Sequence, residues 1–153
     1  MSSRPLRLPD STLAAIRDHA REAYPDECCG FLVAAGDLDD GPMRQIERVE
    51  RASNGFEGQR RRRFLIGADE LRRAEERARA AGDSVVGFYH SHPDQPARPS
   101  QFDQDHAWPW YSYVVVAVTR GAPSEVRAFE LGPDAASFRP VRIEVVTSEG
   151  GDP

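Results

Sequence analysis

The sequence predicts an α/β domain in which a mixed β-sheet is sandwiched by helices. Three observations predict it. A chain of 153 residues suits one domain with a single core. Six or seven stretches are apolar runs or alternate with period two, and three others carry helix signals. The two kinds are mixed along the chain rather than strictly alternating, which favours a mainly antiparallel or mixed sheet in two or three layers.

The elements follow in order. Asp10 and Ser11 are N-cap types, Leu13, Ile16, Ala20 and Ala23 recur at helical spacing, and Pro25 stops the pattern, giving a helix over about 11–23. ECCGFLVAA (27–35) reads as a buried strand, and GDLDDG (36–41) as a turn. RQIERVERA (44–52) alternates as a strand, and RRRFLI (61–66) is another. Leu71, Ala74, Ala78 and Ala81 mark a second helix closed by Gly82. SVVGFYHSH (84–92) is a strand running into a loop, and Ser100 opens a short helix. YSYVVVAVT (111–119), EVRAFELG (125–132) and FRPVRIEVV (138–146) complete the sheet. Residues 1–146 are thus expected to form one domain, with 147–153 a disordered tail.

Composition narrows the function classes. A net charge of −5 provides no positive field for nucleic acid or an anionic membrane surface. The longest aliphatic run, Val114–Val118, is too short to span a bilayer, and the N-terminus lacks the apolar core of a signal peptide, so the expected location is the cytoplasm. Cys28 and Cys29 are adjacent and are the only cysteines, which fits buried small residues in a reducing compartment better than a disulfide. All 20 basic residues are arginine, so no side-chain amine can act as a conjugation site or Schiff-base nucleophile.

The stretch GFYHSHPDQPARPSQFDQDH (87–106) carries the chemistry. On a strand, His90 and His92 project from one face and can meet on one ion. The best third ligand is Asp103, in the first turn of the helix that Ser100 opens. Ser100-x-x-Asp103 also reads as a capping box, which needs no metal. Two histidines and a carboxylate would leave a fourth position open, the catalytic rather than the structural zinc pattern, and zinc would lower the pKa of a water there to about 7. A carboxylate outside the ligand set would have to move the proton, and composition cannot choose it.

The spacing His90-x-His92-x₇-Ser100-x-x-Asp103, with HSHP at its start, resembles the JAMM motif of the Mov34/MPN family of zinc metallopeptidases. The upstream YPDECCGFLV (24–33) is similar to that family's other signature, a glutamate at the start of a strand after the first helix. The resemblance spans about residues 10–120 and implies the MPN fold, an α/β sandwich similar to cytidine deaminases. Deaminase chemistry itself is disfavoured, since neither H-x-E nor P-C-x-x-C occurs. The resemblance further implies one Zn²⁺ per chain on His90, His92 and Asp103, with Glu27 as general base and then acid. Ser100 would donate to the oxyanion, a contribution of about 3–4 kcal/mol. The implied activity is hydrolysis after the C-terminal Gly-Gly of a ubiquitin-like or sulfur-carrier protein. The rival within the family is a non-enzymatic MPN scaffold binding such a partner, which typically lacks the ligands.

Other residues have blander readings. His106 shares the helix face of Asp103 and would make the metal structural if it closed the site. His19, Glu22 and Asp26 suit helix or loop surface, and Ser91 suits a hydrogen bond supporting the site rather than a nucleophile. Trp108 and Trp110 suit packing or a substrate wall, and Arg60–Arg63 a solvated strand edge or a contact for an acidic partner. Gly150-Gly151 is expected in the unstructured tail.

Overall fold

The computed structural model describes residues 5–36, 43–52, 66–132 and 137–147. Among these the order is β1 (Leu6–Pro9), α1 (Asp10–Ala23), β2 (Cys29–Ala35), β3 (Arg44–Gln45), β4 (Arg48–Ala52), α2 (Ala68–Ala80) and β5 (Asp83–Pro93). There follow α3 (Gln101–Asp105), β6 (Ser112–Thr119), β7 (Ala122–Leu131), β8 (Phe138–Val141) and β9 (Ile143–Val146). Among the described residues the main sheet has six strands in the order β4-β2-β5-β6-β7-β8, and a small sheet has the order β3-β1-β9. Only the β5–β6 pair is parallel in the main sheet, so the expected mixed sheet is what forms.

Alternation sorts the core onto two faces. On one, Leu32, Tyr89, Val114, Val116 and Val118 pack with Ile16 and Ala20 of α1 and Leu6 and Leu8 of β1. On the other, Phe31, Val33, Phe88 and Tyr113 pack with Ala74 and Ala78 of α2. The helices therefore cover opposite faces, which makes the three-layer form of the sandwich. Among the described residues no helix is long and apolar enough to cross a membrane.

Several boundaries differ from the sequence reading, each for a physical reason. The cap of α1 is Pro9 rather than Asp10 or Ser11, because Pro9 ends β1 in an extended conformation (ψ 151°) and its fixed φ leads into the first turn. Asp10 then lies in that turn, where a negative charge is favourable. Strand β1, with buried Leu6 and Leu8, is too short for alternation to reveal. The stretch 44–52 is two strands, not one. Ile46 N–H donates to Arg7 of the small sheet and Glu47 N–H to Val33 of the main sheet, so the chain changes sheets between adjacent residues. The stretch 138–146 likewise breaks at Arg142, with β8 on the main sheet and β9 on the small one. Alternation reports which face a residue takes but not which partner its backbone finds. Strand 27–35 begins at Cys29, which leaves Glu27 just ahead of it. Gly82 follows α2 with φ +79°, as a helix-closing glycine should. The strand at 61–66 lies outside the described residues except for Ile66, as do Arg60–Arg63, Gly150-Gly151 and nearly all of the turn at 36–41 and of the tail.

Close approach explains one glycine. Gly87 of β5 pairs with Ser112 of β6, and a Cβ there would collide with the Ser112 carbonyl. Gly87→Ala is expected to destabilise the domain by about 1–3 kcal/mol, read as a lower urea midpoint at unchanged slope.

Candidate metal centre

Strand β5 continues through Pro93, so Phe88, His90 and His92 share the face turned toward α2 while Tyr89 and Ser91 turn toward α1. Both histidines are buried, at 1% and 2% exposure. Past Pro93 the chain turns at Asp94, which takes φ +56°. Asp94 is held there by the Tyr24 hydroxyl, donating to Oδ2 at 2.7 Å, and by the Arg120 N–H, donating to Oδ1 at 2.8 Å. Ala97, 1% exposed, anchors the far side of the loop, and Ser100 then starts α3.

The capping box is formed in full. Ser100 Oγ accepts from Asp103 N–H at 3.1 Å, and Ser100 N–H donates to Asp103 Oδ2 at 2.8 Å. That same Oδ2 lies 3.1 Å from His90 Nε2 and 3.2 Å from His92 Nε2, and the two Nε2 atoms are 3.2 Å apart. The cap and the metal reading therefore do not compete, since one oxygen serves both.

This triangle fits a metal by its spacing, since ligand atoms about 2.0–2.1 Å from a tetrahedral zinc are about 3.3 Å from one another, close to the spacing seen. His92 Nδ1 lies 3.0 Å from the Pro96 carbonyl, a hydrogen bond that orients the ring so that Nε2 faces Asp103 Oδ2. Burial lowers the pKa of His90 and favours its neutral form. Burial opposes the charge on Asp103, but the imidazoles and the Ser100 N–H outweigh it and hold the carboxyl well below the usual range.

Glu27 reaches the histidines from the other side. It is 2% exposed, and one of its carboxylate oxygens lies within 4.8 Å of a ring nitrogen of each histidine. By proximity alone it is thus a second candidate for the third ligand. Asp103 fits that place better, because its oxygen already sits at ligand spacing from both nitrogens. The residue after Glu27 is clamped twice: Cys28 N–H donates to Ser91 Oγ at 2.8 Å, and Ser91 N–H to Cys28 carbonyl at 3.1 Å. Ser91, fully buried between the two histidines, so ties the Glu27 backbone to the strand that carries them.

The discounted residues are not part of the triangle. His106 is exposed, stacks on Phe102 with ring centroids 4.0 Å apart, and directs Nδ1 to the Phe102 carbonyl at 2.9 Å. Among the described residues the clustered potential ligands do not include it. His19 lies on the opposite face, 2.6 Å from the Tyr89 hydroxyl. Glu22 is gripped by both terminal nitrogens of Arg51 at 2.9 and 3.0 Å, and Asp26 is exposed. Trp110 is 40% exposed at φ +81°, with the Arg44 guanidinium 4.2 Å from its ring. Arg44 is itself buried and donates to the carbonyls of Trp110 and Val86 and to Ser112 Oγ. Trp108 is half-buried and lines a cavity of about 310 Å³ that reaches His90 and Asp103.

Sequence reasoning missed the Pro96 carbonyl, the Tyr24–Asp94 brace, the Arg44 contact and most of this cavity. Phe88 was within reach, being two residues before His90 on an alternating strand. Ile66 and Tyr113 arrive from distant segments, and nothing local marks them.

Residues 9–132 match the family profile described as prokaryotic homologs of the JAB domain. The chain is 36% identical over 120 residues to the desampylase of Haloferax volcanii, covering 75% of this chain and 82% of that protein. It is 32% identical over 129 residues to the CysO-cysteine peptidase of Mycobacterium tuberculosis, covering 82% of each. A JAB1/MPN domain protein from Archaeoglobus fulgidus superposes with a TM-score of 0.56 over 95% of this chain and 100% of that one. At 20% identity that likeness speaks to the fold alone.

Burial pushes the Cys28 thiol up to about 11 and raises Cys29 further, so neither is a thiolate near neutrality. Iodoacetamide at pH 8 is expected to leave the folded protein unmodified and to alkylate both cysteines once it is unfolded in urea, as read by intact mass. Rapid labelling of the native chain would contradict this packing.

Proposed function

The chain belongs to the prokaryotic homologs of the JAB domain and is a JAMM-type peptidase; from that premise we propose that it cleaves after the C-terminal Gly-Gly of a ubiquitin-like or sulfur-carrier protein, with one zinc ion per chain. The observation that carries the proposal is the triangle of His90 Nε2, His92 Nε2 and Asp103 Oδ2, with sides of 3.1–3.2 Å and Glu27 alongside. The names of the desampylase and the CysO-cysteine peptidase support a small carrier protein as substrate. A scaffold reading would expect the ligand positions to be lost, and all are present.

His90, His92 and Asp103 would hold the zinc. When bound, zinc supplies Lewis acidity at the scissile carbonyl and makes water a usable nucleophile near neutral pH. Glu27 takes one proton from the attacking water as its oxygen bonds to the carbonyl carbon. It returns that proton to the departing nitrogen as the C–N bond breaks, which leaves a free carboxylate on the carrier and a free amine on the other product. Ser100 Oγ accepts from Asp103 N–H, and a hydroxyl that accepts still has its own proton to donate. The capping box thereby aims the Ser100 hydroxyl, which we assign to the carbonyl oxygen as negative charge develops there. Among the described residues β4 is the outermost strand on the Glu27 side, with Ala52 paired to Cys29, and its edge suits an extended carrier tail added by backbone hydrogen bonds.

Untagged protein is expected to hold about one zinc per chain by elemental analysis, as a three-ligand site implies, and His92→Ala to lose it. Glu27→Gln should keep the zinc and lose turnover of a Gly-Gly-linked carrier; activity in that variant, or loss of its zinc, would show that Glu27 is not the general base. Ser100→Ala should lower kcat by about 10²–10³-fold. Chelation should abolish activity before the far-ultraviolet circular dichroism changes, because the sandwich core does not depend on the ion; unfolding on chelation would make the metal structural.

A further inference from the structure

The cavity beside the metal centre is too large and too apolar for a Gly-Gly tail. Its volume is about 310 Å³, and Ile66, Phe88, Phe102, Trp108 and Tyr113 supply most of its wall. Its lining also includes the buried His90 and Asp103 of the triangle and, on its exposed side, Asp105 and His106.

The wall is built to keep its shape. Phe88, 1% exposed, lies with its ring centroid 5.1–5.4 Å from those of Trp108, Tyr111 and Tyr113. The Tyr113 hydroxyl accepts from Trp108 N–H at 2.7 Å and donates to the Trp108 carbonyl at 3.3 Å, which fixes the backbone under that indole. Phe102 is held by its stack on His106. An apolar pocket of this size, already formed, is of the kind that takes a ligand group.

Geometry restricts the occupant. The two residues before the scissile bond are glycines and have no side chains to offer. In an extended chain, at about 3.3 Å per residue, the backbone of the next residue upstream lies about 7–8 Å back from the reacting carbonyl. A pocket that shares His90 and Asp103 with the triangle opens directly beside the reacting carbonyl, where the group bonded to the departing nitrogen lies. We propose that this cavity binds the leaving group, and that the enzyme selects leaving groups bearing apolar carbon bulk next to the amine. Two sources have that chemistry: the side chain of an α-linked apolar residue, and the methylene stem of an isopeptide-linked lysine. The carboxylate of Asp105 on the exposed side opposes an acidic leaving residue. The inference rests on the chain being a Gly-Gly-directed peptidase.

The test is a series of carriers ending in Gly-Gly joined to alanine, leucine, phenylalanine, aspartate, or the Nε of lysine, cleaved by the zinc-loaded protein. Leucine, phenylalanine or lysine-stem conjugates should exceed alanine in kcat/KM by at least about tenfold, with aspartate slowest. Fast leucine and phenylalanine with slow lysine would assign the pocket to α-linked residues, and the reverse to isopeptides. Ala107→Leu, which fills the cavity from its wall, should shrink the ratio to alanine. Equal cleavage of all five, or a preference for aspartate, would overturn the pocket's role while leaving the peptidase intact. Failure to cleave any of them with zinc bound would overturn the peptidase reading and the pocket's role with it. The wild-type series decides the matter by itself should Ala107→Leu fail to fold.

Discussion

Asp103 Oδ2 is the point on which the site depends. Within 3.2 Å of it lie the Ser100 N–H that starts α3 and the Nε2 atoms of His90 and His92 at the end of β5. A buried carboxylate is costly unless its charge is met by donors or cations, and here the partners come from both ends of one loop. The loop cannot shift without breaking either the cap or the histidine contacts. Its outer side is tied down independently by Asp94, which Tyr24, just after α1, and Arg120, in the β6–β7 turn, hold from two other segments. The result is a short, proline-rich connection that behaves as part of the scaffold, as a metal centre needs if its ligands are to keep their spacing.

The sheet beneath the site explains why these residues are buried at all. β5 pairs antiparallel with β2 on one side and parallel with β6 on the other, so its C-terminal end projects into a covered interior instead of an open rim. Ser91 adds a constraint specific to this position. Its side chain accepts the Cys28 N–H while its backbone donates to the Cys28 carbonyl, so the end of β5 and the entry to β2 are locked in register. Glu27 is then placed by the sheet, and its position relative to the histidines is inherited from strand pairing.

Legibility in the sequence followed the range of the interactions. The spacing from His90 to Asp103 was readable because strand alternation and a helix first turn are local geometries, and both formed as the residues dictate. Sheet switching at Ile46–Glu47 and at Arg142 was not, because the choice of backbone partner is made by distant strands. Arg44 shows the limit clearly. An arginine in an alternating strand reads as surface, yet it is buried because three acceptors from β5, β6 and the turn before β6 converge on its Nη1. Most of the cavity was illegible likewise: alternation relates Phe88 to His90, but Ile66, Phe102 and Tyr113 come from three other segments that no periodicity joins to it.

The environments of the two buried carboxylates differ in the way the roles proposed for them require. Asp103 is surrounded by donors that stabilise its charged form, and its carboxyl is held far below the range in which it could exchange protons near neutrality. A group so placed makes a steady ligand and a poor proton carrier, because general acid–base catalysis is most effective when the pKa lies near the working pH. Glu27 enters from the opposite side, ahead of β2, on a backbone fixed by Ser91. Its side chain reaches the histidines without belonging to the Ser100–Asp103 cap. The proton transfers of hydrolysis need a carboxylate that can change its state without dismantling the loop. Asp103 cannot do so, since protonating it would weaken the cap and both histidine contacts together. That asymmetry, more than proximity to the histidines, is what supports Glu27 as the base and Asp103 as the ligand.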